Sequence, residues 1–200
     1  MKIILASNNK DKLREIRELL KNTFIEVISQ SEAGCDFEVE ETGTTFEENA
    51  YLKAKAVYDA THETVVADDS GLMVEALNGE PGVYSARYAP GGHDVPDTVK
   101  CEYLLSKMKD AHNRTAKFRT SICCIFPDGE IIRTTGECHG KILTGLFGEG
   151  GFGYDPVFMP DGYDMSMAQL GPEVKNKISH RANALREFKK ELRKYNGTDK

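Results

Sequence analysis

Between residues 116 and 126 the side chains of Ala116, Phe118, Thr120, Ile122, Cys124 and Phe126 recur at every second position, and Pro127-Asp128-Gly129 follows. A period of two marks a β-strand with one face turned inward. Proline presets its own φ and glycine accepts a positive one, so the chain turns here and the run from residue 130 returns antiparallel. Any fold for this chain must contain that hairpin.

The chain opens with a short apolar run, residues 2–6, that reads as a buried strand. A polar loop follows, then a helix over residues 11–21 with Leu13, Ile16, Leu19 and Leu20 on one face. A second helix is expected to start at Thr44 or Thr45, since Thr44 with Glu47 and Thr45 with Glu48 both offer capping boxes. It should bury Phe46, Ala50, Ala54 and Val57 and end near Thr61. Residues 64–67 form a β-branched strand that runs into Asp68-Asp69-Ser70-Gly71, and residues 79–92 read as loop. A third helix over residues 97–109 would bury Val99, Tyr103, Leu104 and Met108. A last one, with Ser179 as N-cap, would turn Ala182, Leu185, Phe188 and Leu192 inward. Helices alternating with strands, together with one antiparallel hairpin, give an α/β fold with a mixed, twisted sheet flanked by helices. The 200 residues suit one domain, taken as residues 1–196, with residues 197–200 expected to be disordered.

The net charge of −6 disfavours sequence-independent binding to nucleic acid, which depends on Lys and Arg neutralising phosphates. No stretch approaches the roughly 18 apolar residues of a membrane span, and the opening run is too short for a secretory signal, so a cytoplasmic location is expected. The five cysteines, Cys35, Cys101, Cys123, Cys124 and Cys138, show no metal-ligand spacing and read as reduced thiols. If Cys123 and Cys124 lie in a strand they face opposite sides, so at most one should reach the main core.

Four segments carry chemistry. Ser7-Asn8-Asn9-Lys10-Asp11-Lys12 leaves a strand where a helix begins, a place that suits phosphate as well as an ordinary helix cap. Glu38, Glu40 and Glu41, with Asp68-Asp69 at a strand end, offer hard oxygen ligands for a divalent cation, or a turn with a cap. In Gly148-Glu149-Gly150-Gly151-Phe152-Gly153-Tyr154-Asp155-Pro156 the glycines bracket two aromatics that could stack on a base or pack into the core. Lys175-Asn176-Lys177-Ile178-Ser179-His180-Arg181 places two cationic side chains in the first turn of a helix, against its dipole, which a bound acceptor-rich ligand would explain.

In combination and order these segments resemble the inosine triphosphate pyrophosphatase family. The resemblance runs from 7–12 through Glu40-Glu41-Thr42-Gly43, Thr45-Phe46-Glu47-Glu48-Asn49-Ala50, Ala67-Asp68-Asp69-Ser70-Gly71 and Pro81-Gly82-Val83-Tyr84-Ser85-Ala86-Arg87-Tyr88. It ends in Gly151-Phe152-Gly153-Tyr154-Asp155-Pro156 and Ser179-His180-Arg181. It implies a fold of two lobes around a substrate cleft, a homodimer, and Mg²⁺-dependent hydrolysis of ITP, dITP and XTP to the monophosphate and pyrophosphate. Asp69 would be the catalytic carboxylate and a metal ligand, with Glu40 the second. Ser7, Asn8, Asn9, Lys10, Asp11, Lys12, Ser70 and Lys175 would hold the triphosphate. Phe152, Gly153, Tyr154 and Asp155, with His180 and Arg181, would read the base. The sequence departs from the family in Ser7, where Thr is usual, in Asp11, where Gly is common, and in Val174, where Glu is common. The rivals are a pyrophosphatase for modified pyrimidine triphosphates and a nucleotide sensor without turnover.

Overall fold

The computed structural model describes residues 1–197, and the tail at 198–200 lies outside the described residues. Gly197, expected to begin a disordered end, donates its N–H to Lys194 O in the turn that closes the last helix. In chain order the elements are β1 (Lys2–Leu5), α1 (Lys10–Leu20), β2 (Glu26–Ser29), α2 (Phe46–Thr61), β3 (Val65–Val74), α3 (Asp97–Lys107), β4 (Thr115–Ile125), β5 (Ile131–Ile142), β6 (Phe158–Pro160), α4 (Gly171–Ile178) and α5 (His180–Tyr195), with short 3-10 turns between them. The strands form one sheet in the order β2-β1-β3-β4-β5-β6. β1 pairs parallel with β2 and β3, whereas β5 pairs antiparallel with β6, so the sheet is mixed as expected. Gly129 N donates to Phe126 O and Phe126 N to Glu130 O, closing the turn that returns β5 beside β4.

The chain divides into two compact units. The first holds Met1–Asp69, Thr120–Gly136 and the chain from Arg181, and the second Ser70–Arg119 and Glu137–His180. In the first unit the sheet is covered on both faces. Ile3, Leu5, Val66, Ile122, Cys124 and Phe126 pack with Ile16 and Leu20 of α1 and Leu185, Phe188 and Leu192 of α5. Their alternates Ile4, Val65, Ala67, Cys123 and Ile125 pack with Ala50, Ala54 and Val57 of α2. Cys123 and Cys124 do face opposite sides, yet both are buried, because a helix layer covers each side.

In the second unit one cluster gathers Leu72 and Val74 of β3, Cys101, Leu104 and Met108 of α3, Phe118 of β4, Cys138 and Ile142 of β5, and Tyr154 and Phe158. Here α3 departs from the expected register: Val99 is 38% exposed, and Cys101 takes the inward position with Leu104 and Met108. α2 starts at Thr45, whose hydroxyl accepts from Glu48 N in a complete capping box. β2 and α4 were not anticipated. β2 is only four residues long, and α4 begins at Gly171-Pro172 with no side-chain cap to announce it.

Candidate functional site

β3 is longer than the sequence suggested. Asp68 and Asp69 lie inside it rather than in a turn after it, so they point to opposite sides of one strand. Both are buried, at 1% and 5% exposure. A carboxylate in the sheet interior needs cations, and within the first unit they come from three helices. Lys12 of α1 brings Nζ to 3.3 Å from Asp68 Oδ2, and Arg181 of α5 donates Nη2 to the same oxygen at 3.1 Å. Arg181 Nη1 is bonded to Glu15. Lys53 of α2 serves the other carboxylate, with Nζ 2.8 Å from Asp69 Oδ1 and 2.7 Å from Glu41 Oε1. Asn49, one turn earlier on α2, donates Nδ2 to Asp69 Oδ2 at 3.4 Å.

These partners drive two adjacent carboxyls in opposite directions. Burial pushes the Asp68 pKa up, but the charges of Lys12, Arg181 and Lys53 outweigh it and hold the group far below the usual carboxylate range. For Asp69 burial wins over Lys53 and Lys12, and the pKa lies above its ordinary value. Burial lowers the Lys12 pKa, with Asp68 opposing it, whereas Lys53 is raised because Asp69 and Glu41 overcome its burial. Neighbouring titratable groups set apart in this way are characteristic of sites that handle protons.

The residues fit a hard divalent cation. Asp69 and Glu41 oxygens converge on one ammonium, and Asp68 Oδ1 is buried without a hydrogen-bond partner. Among the described residues no group of three or more His, Cys, Asp or Glu could cage a metal alone. Mg²⁺ usually takes one or two carboxylates and completes its shell with water and substrate phosphate, which matches that donor set. Glu40 is exposed, and it is its neighbour Glu41 that turns to Lys53.

The loop at 7–12 forms a helix cap. Asn9 is the N-cap of α1, its side chain accepting from Asp11 N and Lys12 N, and Ser7 Oγ accepts from Asn9 N. Asn8 and Lys10 are exposed, and Asp11 is engaged by Arg14 at 2.7 Å, which turns its charge toward a partner on α1.

In the second unit the glycine loop forms a different cluster. Lys175 of α4, 6% exposed, lies 2.5 Å from Asp155 Oδ2 and 4.6 Å from the centre of the Phe152 ring. Asp155 Oδ2 also accepts from Phe152 N at 3.0 Å. A side chain at Gly151, whose φ is +74°, would run into that same carboxylate. The two aromatics divide their roles: Tyr154 is 4% exposed and donates its hydroxyl to Ser85 O, whereas Phe152 stays half-buried. His180 is buried and stacks on Phe118, centroids 4.8 Å apart. Ser70 is half-buried on β3. Of the expected site residues, the first unit thus gathers Lys12, Asp69 and Arg181, and the second gathers Phe152, Gly153, Tyr154, Asp155 and Lys175.

Sequence reasoning missed Lys53 and Glu15 and passed over Asn49. A signal for Asn49 and Lys53 was present: they stand four apart on α2, next to the apolar positions 46, 50, 54 and 57, where a fully buried asparagine needs a polar partner.

The chain matches the Ham1 family over residues 3–191. It is 48% identical over 183 residues to a dITP/XTP pyrophosphatase of Staphylococcus aureus, covering 92% of each chain, and 48% identical over 188 residues to one from Desulforamulus reducens, covering 93% and 92%. Among solved structures it is similar to the Ham1 protein of Staphylococcus aureus, with a TM-score of 0.87 at 46% identity over 98% of this chain and 100% of that one. A nucleoside-triphosphatase / dITP/XTP pyrophosphatase from Mycobacterium abscessus gives a TM-score of 0.76 at 39% identity, covering 94% and 98%.

Proposed function

The chain belongs to the Ham1 family, and from that premise we propose that it hydrolyses non-canonical purine nucleoside triphosphates, ITP, dITP and XTP, to the nucleoside monophosphate and pyrophosphate. Relatives at 48% identity carry the name dITP/XTP pyrophosphatase. The observation that carries the reading is the pair of adjacent carboxyls, Asp68 kept ionised and Asp69 raised. A carboxyl whose pKa burial has raised takes up a proton more readily than a neighbour held far below the usual range.

In this reading Asp69 accepts the proton of the water that attacks the α-phosphorus, and Asp68 keeps Lys12 oriented and charged. Lys12 and the segment 7–12 meet the phosphates, joined by Ser70 and Lys175. Asp69 and Glu40 would hold Mg²⁺, with Glu41 supporting Asp69 through Lys53. The ion, when bound, neutralises phosphate oxygens and stabilises the charge that develops as pyrophosphate departs.

Phe152 stacks on the purine, and His180 and Arg181 donate to its 6-oxo group, Arg181 by exchanging one carboxylate contact. Adenine presents a 6-amino donor there instead. Each buried donor left facing it would cost about 1–3 kcal/mol, enough for useful discrimination. Residues 1–196 act as one catalytic domain, working as a homodimer in the cytoplasm. Among the described residues no helix is long and apolar enough to cross a membrane.

Product analysis tests the reaction. With Mg²⁺ and ITP or XTP the expected products are pyrophosphate and the monophosphate, and EDTA should stop their release. Orthophosphate as the first product, or ATP consumed as fast as ITP, would refute the reading.

A further inference from the structure

The proposed base platform, the loop carrying Phe152, is fixed from a helix that contributes nothing else to the reaction as described. Asp97, the first residue of α3, accepts from Gly153 N through Oδ2 at 2.6 Å. One turn later Cys101 brings its Sγ to 3.4 Å from Gly153 O. Both polar groups of a single residue are therefore held by side chains at positions i and i+4 of one helix, which lie on one face. Gly153 has a φ of +63°, a backbone state with few side-chain constraints of its own, so an external clamp has something to fix. Cys101 is fully buried, and burial pushes its thiol up to about 12, with Asp97 and Asp155 adding to the effect; it keeps the proton it donates. Phe152 N is tied to Asp155 and the Tyr154 hydroxyl to Ser85 O, so the chain on both sides of Gly153 is anchored while the Phe152 ring stays half-buried.

We propose that Asp97 and Cys101 are positioning residues that clamp Gly153 and thereby hold Phe152 ready for the base before substrate arrives. The inference rests on the reading of Phe152 as the surface that stacks on the purine. Its consequence is specific: loosening the clamp weakens what depends on the base and leaves what depends on phosphate unchanged.

Steady-state kinetics with ITP, run beside competitive inhibition by inorganic tripolyphosphate, which has no base, separates the two. Base stacking on an aromatic is worth about 1–3 kcal/mol, or roughly 5- to 150-fold, and a loosened platform should lose part of that. Asp97→Ala should raise KM for ITP about fivefold and Cys101→Ala about threefold, with kcat and the tripolyphosphate inhibition constant within about twofold of the parent. Cys101→Ser, which keeps a donor, should restore KM. In a Phe152→Ala background Asp97→Ala should add no further effect. If Phe152→Ala raises KM but Asp97→Ala and Cys101→Ala do not, the clamp is refuted and the platform stands. If Phe152→Ala leaves KM unchanged, the platform reading fails first. If Asp97→Ala weakens tripolyphosphate as much as ITP, or Cys101→Ser behaves like Cys101→Ala, the residues serve general stability and the inference is overturned.

Discussion

In the charged cluster of the first unit, Lys12, Lys53 and Arg181 face Asp68, Asp69, Glu41 and Glu15, and nearly every contact is between full charges. In the loop around Phe152 in the second unit Lys175 pairs with Asp155, and Asp97, Cys101 and Asp155 bond to the loop's backbone. The two constructions suit different tasks. Buried opposing charges set how tightly a group holds its proton, as the divergence of Asp68 and Asp69 shows, but long charged side chains define shape poorly. Hydrogen bonds to the backbone fix the shape of a loop directly. Changes to the carboxyls of the first cluster should therefore act on kcat or on folding, and changes at the Phe152 platform on KM and selectivity.

The sharpest way to break this division is Asp69→Asn, which keeps the shape and removes the base. It should lower kcat by about 10³-fold, the mid-range for a general base, while thermal unfolding shows no loss of stability, because a costly buried anion has been neutralised. Arg181→Ala should act on folding: it leaves Asp68 and Glu15 without their guanidinium and should cost about 3–5 kcal/mol in denaturant unfolding. An unchanged midpoint would mean the pair is not formed as described. Phe152→Ala should raise KM for ITP about tenfold with kcat within twofold, measured by pyrophosphate release. Arg14→Ala breaks only the exposed pair with Asp11 and should leave both activity and melting temperature unaltered. A fall in affinity for tripolyphosphate would show instead that Asp11, freed of Arg14, repels phosphate.

Much of this was legible in the sequence because local chemistry dictates it. The two-residue period of residues 116–126, the turn at 127–129 and the capping box at Thr45 each need only neighbouring residues to be read. The family motifs likewise singled out Asp69, which is buried beside Lys53, and the loop that carries Phe152. What escaped was set by tertiary contacts. That Cys123 and Cys124 are both buried depends on α2 and α5 covering both faces, which the strand pattern cannot report. Lys53 drew no reading of its own, and only folding brings it to Asp69 and Glu41, residues 16 and 12 positions away. Asp97 and Cys101 lie more than fifty residues from the glycine they clamp. Arg181 was expected among the base donors, and its engagement by Asp68, separated by 113 positions, has no local signature.

The most direct test of the division is to measure kcat and KM for ITP in Asp69→Asn and Phe152→Ala side by side. The first variant should lose kcat with little change in KM, and the second should raise KM with kcat preserved. Equal losses in the same parameter for both would contradict the division.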